Sequence, residues 1–442
     1  MKTKLPVAVG AVLVSAGLML AGCQSPAPST APATAPAATT QAPASSAATT
    51  AAAAGRGPIT YAQGKDNNGV IQPLVDAWNA QHPDEKVTLK EQTDQADQQH
   101  DDLVQHFQAK SADYDVVMVD VIWTAEFAAQ GWIQELSGDY AVTTDGMLPA
   151  TVNAGTYNGK LYTAPFVTDG GILYYRSDLV KTPPKTWAEL QKDCSIAKAH
   201  GMACYAGQFA KYEGLVCNFA EAVNTDGGTI VGPDGATPTL DTAQAKAGLQ
   251  RLVVGFKDGT IDPKGITYQE EQGRQAFQSG KLLFLRNWPY VYSLASTAKD
   301  SKVVGKFAVA PLPGVTADQG GASTLGGHNL AISAFSKNPA TAADFIRYMQ
   351  SPETEKTMLQ KASNAPALAA LYDDPALQQQ FPYLPALKGS LSAAVPRPVS
   401  PFYPKISQAI QDNAYPALKG EKTVDQALAD MQAAIQTAGQ GG

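Results

Sequence analysis

The chain of 442 residues contains few of the groups from which catalytic centres and metal sites are built. It has four cysteines and five histidines, and their spacing does not match that of zinc ligands. The sequence holds no Gly-x-Ser-x-Gly elbow, no Gly-Lys-Ser/Thr phosphate loop and no zinc-type His/Glu pattern. We therefore expect neither a metal nor a cofactor, and the sequence gives no sign of the common hydrolase or nucleotide-binding motifs.

Runs of basic residues are also missing. The chain has 33 Lys and Arg against 40 Asp and Glu, which gives a formal net charge of −7. Without a cluster of Lys and Arg, the chain lacks the electrostatic footprint that binds nucleic acid or an anionic lipid surface. We therefore expect no nucleic-acid partner, and no membrane contact through a charged surface.

The N-terminal residues are typical of a targeting segment. A basic start precedes an apolar stretch, residues 5–20, which is too short to span a bilayer and fits a secretory signal peptide. The Leu-Ala-Gly-Cys sequence that ends at Cys23 resembles a bacterial lipobox. This pattern predicts removal of residues 1–22 and acylation of Cys23, so that the protein is extracytoplasmic and lipid-anchored to the cell membrane. The alternative is a signal peptide cut elsewhere, which would leave a spare thiol.

A segment of low complexity follows the predicted anchor. Residues 25–55 are almost entirely Ala, Pro, Thr and Ser, without an aromatic residue or a charge. Such a composition buries too little apolar surface to offset the entropy of ordering, and its prolines favour an extended chain. We therefore predict that residues 23–56 are a disordered linker between the membrane and a globular domain.

Three cysteines remain beyond the linker. Cys194 and Cys204 flank a short segment of small and polar residues, whereas Cys217 lies in an apolar stretch with helical spacing. In an oxidising compartment two of the three can pair, which leaves one over. We favour a Cys194–Cys204 disulfide and expect Cys217 to be a buried thiol.

The globular part alternates between strand and helix patterns. Ile71, Leu74, Val75 and Trp78 recur at helical spacing. Residues 116–119 form a continuous apolar run, as expected of a strand that is buried on both faces. Beyond residue 56 the chain is too long for one compact core. The order of elements predicts an α/β fold with parallel strands.

Six segments, in their order and spacing, resemble the solute-binding lipoproteins of ABC sugar importers, the family that includes maltose-binding protein. They are most similar to its maltose/trehalose-binding branch. The segments are 115–120 (Asp-Val-Val-Met-Val-Asp), 164–176, 286–290 (Arg-Asn-Trp-Pro-Tyr), 325–330 (Leu-Gly-Gly-His-Asn-Leu), 364–372 and 397–401 (Arg-Pro-Val-Ser-Pro).

The resemblance implies a two-lobe periplasmic-binding-protein fold of type II, with a ligand cleft between two α/β lobes and three crossing segments. The first lobe is expected to hold 57–168 plus 305–335, and the second 169–300 plus 336–442. The crossings are expected near 168–171, 301–306 and 334–337.

Two carboxylates are the first candidates for a sugar site, because carboxylate oxygens accept hydrogen bonds from hydroxyl groups. Asp120 ends the apolar strand, and the carboxyl ends of strands face the cleft in open α/β sheets. Asp120 could instead be the N-cap of the following helix. The resemblance places a sugar-binding carboxylate at Asp169, which would otherwise be an ordinary turn residue.

An aromatic ring and an arginine are the next candidates, because they provide a stacking surface and hydrogen-bond donors for a sugar. Pro289 interrupts regular structure next to Trp288, and an indole on a loop can stack on the C–H face of a sugar. Tyr290 is expected to support that ring. Arg397 stands between two prolines, which stiffen its backbone and suit a preorganised fork of donors. The alternative interpretations are that Trp288 is a core residue and that Arg397 is a surface residue.

The remaining candidates lie in two glycine-containing segments. Gly326 and Gly327 would let the backbone approach a ligand closely. His328 follows them, where some relatives have a tryptophan, so one stacking surface is replaced by a hydrogen-bonding group. Asn67 and Asn68 lie in the loop where relatives offer a carboxylate.

The resemblance implies a monomeric receptor without enzymatic activity. It would close by hinge bending around an α-linked disaccharide, trehalose or a maltose-like sugar, and deliver it to the permease of an ABC transporter. Two alternatives stay open. An extracellular glycosidase could use Asp120 and Asp169 as paired carboxylates, and a chemoreceptor protein that presents a sugar would share the same fold.

Overall fold

The computed structural model of the protein describes residues 55–440. The predicted signal peptide (1–22), Cys23 and nearly all of the predicted linker lie outside the described residues. Within residues 55–440, no helix is both long enough and apolar enough to cross a membrane.

Thirteen strands are assigned in the described part of the chain, and they form two larger sheets and one small hairpin. They are β1 (Ile59–Gln63), β2 (Val87–Glu91), β3 (Val116–Asp120), β4 (Thr156–Tyr157), β5 (Lys160–Leu161), β6 (Ala164–Gly170), β7 (Ile172–Tyr175), β8 (Ala203–Ala206), β9 (Leu282–Asn287), β10 (Ala308–Ala310), β11 (Thr324–Ile332), β12 (Ala365–Pro366) and β13 (Val395–Pro396).

Fifteen α-helices of residues 55–440 cover these sheets. They are α1 (Ile71–Gln81), α2 (Ala96–Gln108), α3 (Thr124–Ala129), α4 (Pro149–Ala154), α5 (Trp187–Ala199), α6 (Glu213–Thr225), α7 (Ala243–Asp258), α8 (Glu270–Gln278), α9 (Val291–Thr297), α10 (Pro339–Met349), α11 (Pro352–Ala362), α12 (Pro375–Gln380), α13 (Leu384–Ser392), α14 (Tyr403–Leu418) and α15 (Val424–Gln440). Short 3-10 helices lie at Val121–Trp123, Gly138–Tyr140, Pro263–Thr267 and Ala369–Tyr372.

The first sheet has the order β12-β6-β11-β3-β1-β2, with β13 paired to β11. β1 runs parallel to β2 and β3, whereas β11 is antiparallel to β3 and β6. The apolar run of β3 is buried, since Val116, Val117 and Val119 have no exposed surface. This agrees with the predicted strand, and the sheet with its packed helices is called the first lobe below.

The second sheet has the order β10-β7-β9-β8. Every residue of its central strand β9 is buried, because helices cover both of its faces, as in other α/β layers. Its core includes Leu249 and Leu252 of α7, Ile410 of α14 and Met431 of α15. This sheet with its packed helices is the second lobe.

The sheets assign two segments differently from the predicted lobe boundaries. β10 pairs with β7, so residues 305–310 lie with the second lobe and not the first. α10 packs Phe345 against Tyr61 of β1 and places Ile346 in the same core, and β12 and β13 join the first sheet. Residues 336–396 therefore lie with the first lobe, because helical periodicity reveals an apolar face without revealing the sheet that it covers.

The positions of the crossing segments follow from these pairings. The chain passes between the sheets at Gly171, between β6 and β7, which agrees with the first predicted crossing. It returns through residues 311–323, between β10 and β11, and passes again through residues 397–402, between β13 and α14. The second and third predicted crossings, at 301–306 and 334–337, were placed too early in the chain.

The structure joins Cys194 and Cys204 by a disulfide between α5 and β8, with a Cα–Cα distance of 5.0 Å. Cys217 is free and buried in α6. Burial raises the pKa of the Cys217 thiol well above its ordinary value, so this thiol stays protonated and unreactive at neutral pH.

Candidate functional site: a cleft between the two lobes

A cavity of about 240 Å³ lies between the two lobes and is lined by residues of both. Pockets for small molecules usually hold about 300–1,000 Å³, so this cavity suits a compact ligand better than a long chain. All ten residues predicted for a sugar site line it: Asn67, Asn68, Asp120, Asp169, Trp288, Tyr290, Gly326, Gly327, His328 and Arg397.

The floor of the cleft is a charged network centred on Arg397. Its Nη2 donates to Asp120 Oδ1 over 2.8 Å, and its Nη1 donates to Glu213 Oε1 over 2.6 Å. Asp120 Oδ1 also accepts from the backbone N–H of Ile122 over 3.3 Å. Asp120 thus caps the 3-10 helix after β3 and faces the cleft at the same time, so the two interpretations of this residue are compatible. Bonded to a carboxylate on each side, the guanidinium is held in one orientation.

Glu213 links this network to the second lobe. It begins α6, and its carboxylate accepts hydrogen bonds from the hydroxyl groups of Tyr403 and Ser407 on α14. Burial raises the pKa of Glu213 to about 7, although the charge of Arg397 opposes this shift. The first and second lobes therefore meet through Asp120, Arg397 and Glu213 at the base of the cleft.

Asp169 and His328 present polar groups that the protein leaves free. Within residues 55–440, neither the Asp169 carboxylate nor the His328 ring makes a hydrogen bond to another residue, and both line the cavity. Burial, with the nearby charge of Asp120, raises the pKa of Asp169 to about 8. Burial lowers the pKa of His328, which keeps its ring neutral at pH 7. Both groups are therefore available to a polar ligand.

Trp288 lines the cleft with an aromatic ring, and a charged side chain packs against one face of that ring. The guanidinium carbon of Arg286 lies 3.8 Å from the centroid of the indole, a close cation–π contact. Arg286 is itself fixed, because its Nε donates to Glu221 Oε2 over 2.9 Å and its Nη1 to Gln208 Oε1 over 2.8 Å. The indole is thus backed on one face by a rigid cation, and its remaining surface lines the cleft.

Two glutamates that open α8 hold the aromatic side chains. Trp288 Nε1 lies 3.4 Å from Glu270 Oε1, at the long end for a hydrogen bond. Tyr290 Oη donates to Glu271 Oε1 over 2.7 Å. Burial raises the pKa of Glu270, whose other oxygen accepts from Tyr212. Tyr290 thus lines the cavity together with Trp288 and is anchored to Glu271.

The two glycines of β11 let the strand pass close to its neighbours. A Cβ on Gly326 would lie 3.0 Å from Cζ3 of Trp288, so a side chain there would displace the indole. Gly327 has φ of +110°, and a Cβ on it would collide with the Val167 carbonyl oxygen. The register of β11 against β6 shifts immediately afterwards, between His328 and Asn329. Glycine is therefore required at position 327 by the backbone itself.

We expect Gly327→Ala to lower the unfolding free energy by about 1–3 kcal/mol, the usual range for a strained backbone conformation. Chemical denaturation with a circular dichroism readout measures this loss. Gly389→Ala is the control and should lose no stability, because a Cβ built there, in helix α13, would meet no atom within 4 Å beyond its own stretch of helix backbone. Equal stability of the Gly327→Ala variant and the wild type would show that β11 relaxes at no cost.

The loop after β1 brings Asn67 and Asn68 to the rim of the cavity. Asp66 shapes this loop, since its Oδ1 accepts from the backbone N–H groups of Asn68 over 3.1 Å and Gly69 over 2.9 Å. Asn68 Nδ2 donates to the carbonyl oxygen of Ala362 over 2.7 Å, and its buried Oδ1 has no partner within residues 55–440. Asn68 is therefore partly committed to the fold, whereas the side chain of Asn67 makes no hydrogen bond to the described chain.

Several lining residues were not predicted from the sequence. Glu213, Glu270 and Glu271 lie in the first turns of α6 and α8, and Phe166 and Met358 add apolar surface. Acidic residues at helix N-termini have an ordinary structural explanation, so their position alone did not identify them. Only the packing of α6 and α8 beside β9 brings these carboxylates to the cleft.

The raised pKa of Asp169 predicts how stability depends on pH. An unfolded Asp titrates near pH 3.9, whereas the folded pKa is about 8. Between these values the folded state holds a proton that the unfolded state has lost, so the unfolding free energy falls as pH rises through this window. Glu355 acts in the same direction, because burial raises its pKa to about 8.

We expect Asp169→Asn to weaken this pH dependence. The melting temperature of the variant should rise relative to that of the wild type between pH 5 and pH 8.5, measured by calorimetry in matched buffers. Asp139→Asn, at an exposed position, is the control and should follow the wild-type profile. A constant difference between the Asp169→Asn and wild-type profiles would argue against a buried, protonated Asp169.

The comparisons with known proteins agree with this geometry. The family described as bacterial extracellular solute-binding protein matches residues 61–356. A probable ABC transporter-binding protein of Deinococcus radiodurans is 34% identical over 379 residues, which is 81% of this chain and 87% of that protein. A maltooligosaccharide ABC transporter solute-binding lipoprotein of Streptococcus pneumoniae is 27% identical, over 57% of this chain and 59% of that protein.

Solved structures give the same result. Maltose-bound T. maritima MalE3 superposes with a TM-score of 0.81 at 33% identity, over 86% of this chain and 99% of that one. An ABC transporter solute-binding protein of Thermotoga lettingae bound with α-D-tagatose has a TM-score of 0.79 at 22% identity, over 87% of this chain and 100% of that one. At 22% identity, this second similarity shows only that the two proteins share a fold.

The two-lobe α/β fold and the cleft define a solute-binding protein. The chain belongs to the bacterial extracellular solute-binding protein family, and its relatives are carriers that bind solutes.

Proposed function

We propose that the protein is the substrate-binding lipoprotein of an ABC sugar importer, which captures an α-linked disaccharide and delivers it to a permease. The ligand in this proposal is trehalose or a maltose-like sugar, and the protein performs no catalysis on it. The anchor would be an acyl group on Cys23, which stays a prediction from the sequence. The observation that carries the proposal is the Asp169 carboxyl group, which lines the cleft with Trp288 and has no hydrogen-bond partner within residues 55–440.

The chemistry of the cleft supports a neutral sugar. Asp169 and His328 can bond to hydroxyl groups, since the side chain of neither makes a hydrogen bond to the described part of the chain. Trp288 offers the apolar surface on which a C–H face can stack, and Phe166 and Met358 add apolar surface to the cavity. A ligand with alternating hydroxyl and C–H surfaces would use both kinds of group, whereas a purely apolar ligand would leave Asp169 and His328 unpaired at a cost.

The relatives support the same class of ligand. The structure at 33% identity contains maltose, and the pneumococcal relative is named for maltooligosaccharides. The small cavity volume, about 240 Å³, favours one or two sugar rings over a longer oligosaccharide.

Calorimetric titration tests the proposal directly. The mature chain, residues 23–442 with Cys23→Ser, would be titrated with trehalose, maltose, sucrose and the β-linked control cellobiose. We expect one-to-one binding of an α-linked disaccharide and no heat with cellobiose. Asp169→Ala should abolish or strongly weaken that binding, whereas Asp139→Ala, at an exposed position, should not. Absence of binding by every α-linked sugar would refute the proposed ligand class.

The same samples distinguish binding from glycoside hydrolysis. A glycosidase needs two carboxylates, one as proton donor and one as nucleophile or base, and Asp120 and Asp169 both line the cleft. Chromatography after prolonged incubation should recover the disaccharide intact. Release of monosaccharide that Asp169→Asn abolishes would favour the hydrolase instead.

A further inference from the structure

A set of hydrogen bonds joins the two lobes through Asp97, a residue that does not itself line the ligand cavity. Asp97 lies in the first turn of α2, which packs Leu103 and Phe107 with the first sheet. Its Oδ1 accepts from the backbone N–H of Glu213 over 3.2 Å, and its Oδ2 accepts from Gln411 Nε2 over 3.2 Å. Both partners belong to helices of the second lobe, α6 and α14.

These bonds give α6 a cap that its own sequence does not provide. The residue before α6 is Tyr212, whose side chain makes no capping hydrogen bond. The first N–H groups of a helix have no partner within the helix, and a carboxylate there satisfies one of them and complements the helix dipole. Here the capping carboxylate of Asp97 comes from the other lobe, so the cap exists only while the lobes are together.

The Gln411 side chain, which makes the second bond to Asp97, is oriented by a further hydrogen bond within the second lobe. Gln411 Nε2 also donates to Ser407 Oγ over 3.0 Å, and Ser407 donates to Glu213 Oε2 over 2.6 Å. The amide of Gln411 is therefore oriented toward Asp97 by the residues that hold Glu213. Asp97 itself does not line the cavity, although Ala96 and Gln99 beside it do.

We infer that Asp97 is a latch for lobe closure, a positioning residue that stabilises the closed form without touching the ligand. For a ligand that binds only the closed form, the apparent dissociation constant is the intrinsic one divided by the closed fraction of the protein. A latch formed between protein groups raises the closed fraction by the same factor for every ligand. The inference rests on the proposed closure around a solute, and not on which sugar it is.

The first test compares Asp97→Ala with the wild type in the mature Cys23→Ser chain. We expect the dissociation constants for trehalose and maltose, or for whichever of them bind, to rise by the same factor, about two- to thirtyfold, the loss that corresponds to removing a helix cap. The increase should lie in the dissociation rate measured by stopped-flow fluorescence, because the latch forms after encounter. Asp101→Ala, an exposed carboxylate on the same helix, is the matched control and should bind as the wild type does.

Two further variants separate a latch from a general loss of folding. Gln411→Ala removes the bond to Asp97 Oδ2 together with the bond to Ser407, but it leaves the cap on the backbone N–H of Glu213, so it should cost less binding than Asp97→Ala. The double variant should bind about as tightly as Asp97→Ala alone, because the contribution of Gln411 to closure depends on its contact with Asp97. A factor that differs between ligands would mean that Asp97 contacts the solute, and unchanged affinity in both single variants would also overturn the latch.

A measurement without sugar keeps the latch testable if the proposed ligand class fails. Spin labels at Gln105 on α2 and Gln426 on α15, both exposed, report the distance between the lobes by pulsed electron resonance. We expect the closed population of the unliganded wild type to shrink in Asp97→Ala. Equal closed populations in the two proteins would overturn the proposal whether or not any sugar binds.

Discussion

Glu221→Ala is expected to lower the unfolding free energy by about 3–5 kcal/mol, the cost of breaking a buried ion pair on one side. Arg286 has no exposed surface, and Glu221 bonds to both its Nε and its Nη2. Without that carboxylate the guanidinium would keep one hydrogen-bond partner among the described residues, Gln208, and its contact with the face of Trp288. A buried cation without a countercharge cannot recover its hydration, so the folded state alone is destabilised.

Urea denaturation at pH 7 measures this effect as a fall in the midpoint at unchanged slope. Glu135→Ala is the matched control, because Glu135 forms an exposed ion pair with Lys160. Exposed pairs of this kind contribute little to stability, so its midpoint should stay close to that of the wild type. A similar midpoint for the two variants would mean that Arg286 finds another partner or water, and the buried pair would then not be essential to the second lobe.

The local structure around the site was largely predictable from the sequence. The apolar run 116–119 predicts β3, and Asp120 follows it at the edge of the sheet, where the structure has it. Pro289 predicts that Trp288 leaves the strand, and β9 ends at Asn287. These inferences succeed because each depends on a few adjacent residues, whose backbone preferences and burial are strong.

The partners of the site were not predictable, because they are distant in sequence. Glu213 is 116 residues from Asp97 and 184 from Arg397, and no local pattern marks such a pair. The same limit explains the lobe boundaries. α10 has a clear apolar face, which carries Phe345 and Ile346, but its periodicity is equally compatible with either sheet.

The resemblance to the solute-binding family predicted cleft residues that local sequence patterns alone did not indicate. Asp169 by itself has the appearance of a turn residue, yet it lies within β6 and faces the cavity. Gly327 was predicted to allow close approach of a ligand, and its positive φ shows that the backbone of β11 also needs it. A residue can therefore be placed correctly at the cleft while a physical reason for it lies in the fold.

Trp288→Ala is expected to weaken binding of the sugar at least tenfold, about 1.4 kcal/mol or more. The substitution removes the stacking surface of the cleft and exposes Arg286, whose guanidinium now lies behind the indole. A ligand would then meet a charge where it now meets an aromatic ring, and it would lose dispersion contacts that only a ring provides. Trp288→Phe keeps a smaller ring without the indole N–H, so its loss should be intermediate.

Calorimetry with whichever of trehalose and maltose binds more tightly measures both variants. Trp187→Phe is the control, since Trp187 packs against Tyr205 in the second lobe and does not line the cavity. It should bind as the wild type does. Because Trp288 is only partly buried, the alanine variant should remain folded, and its melting temperature checks this. A folded Trp288→Ala variant with wild-type affinity would remove Trp288 from the binding site and leave recognition to the polar groups around Asp169.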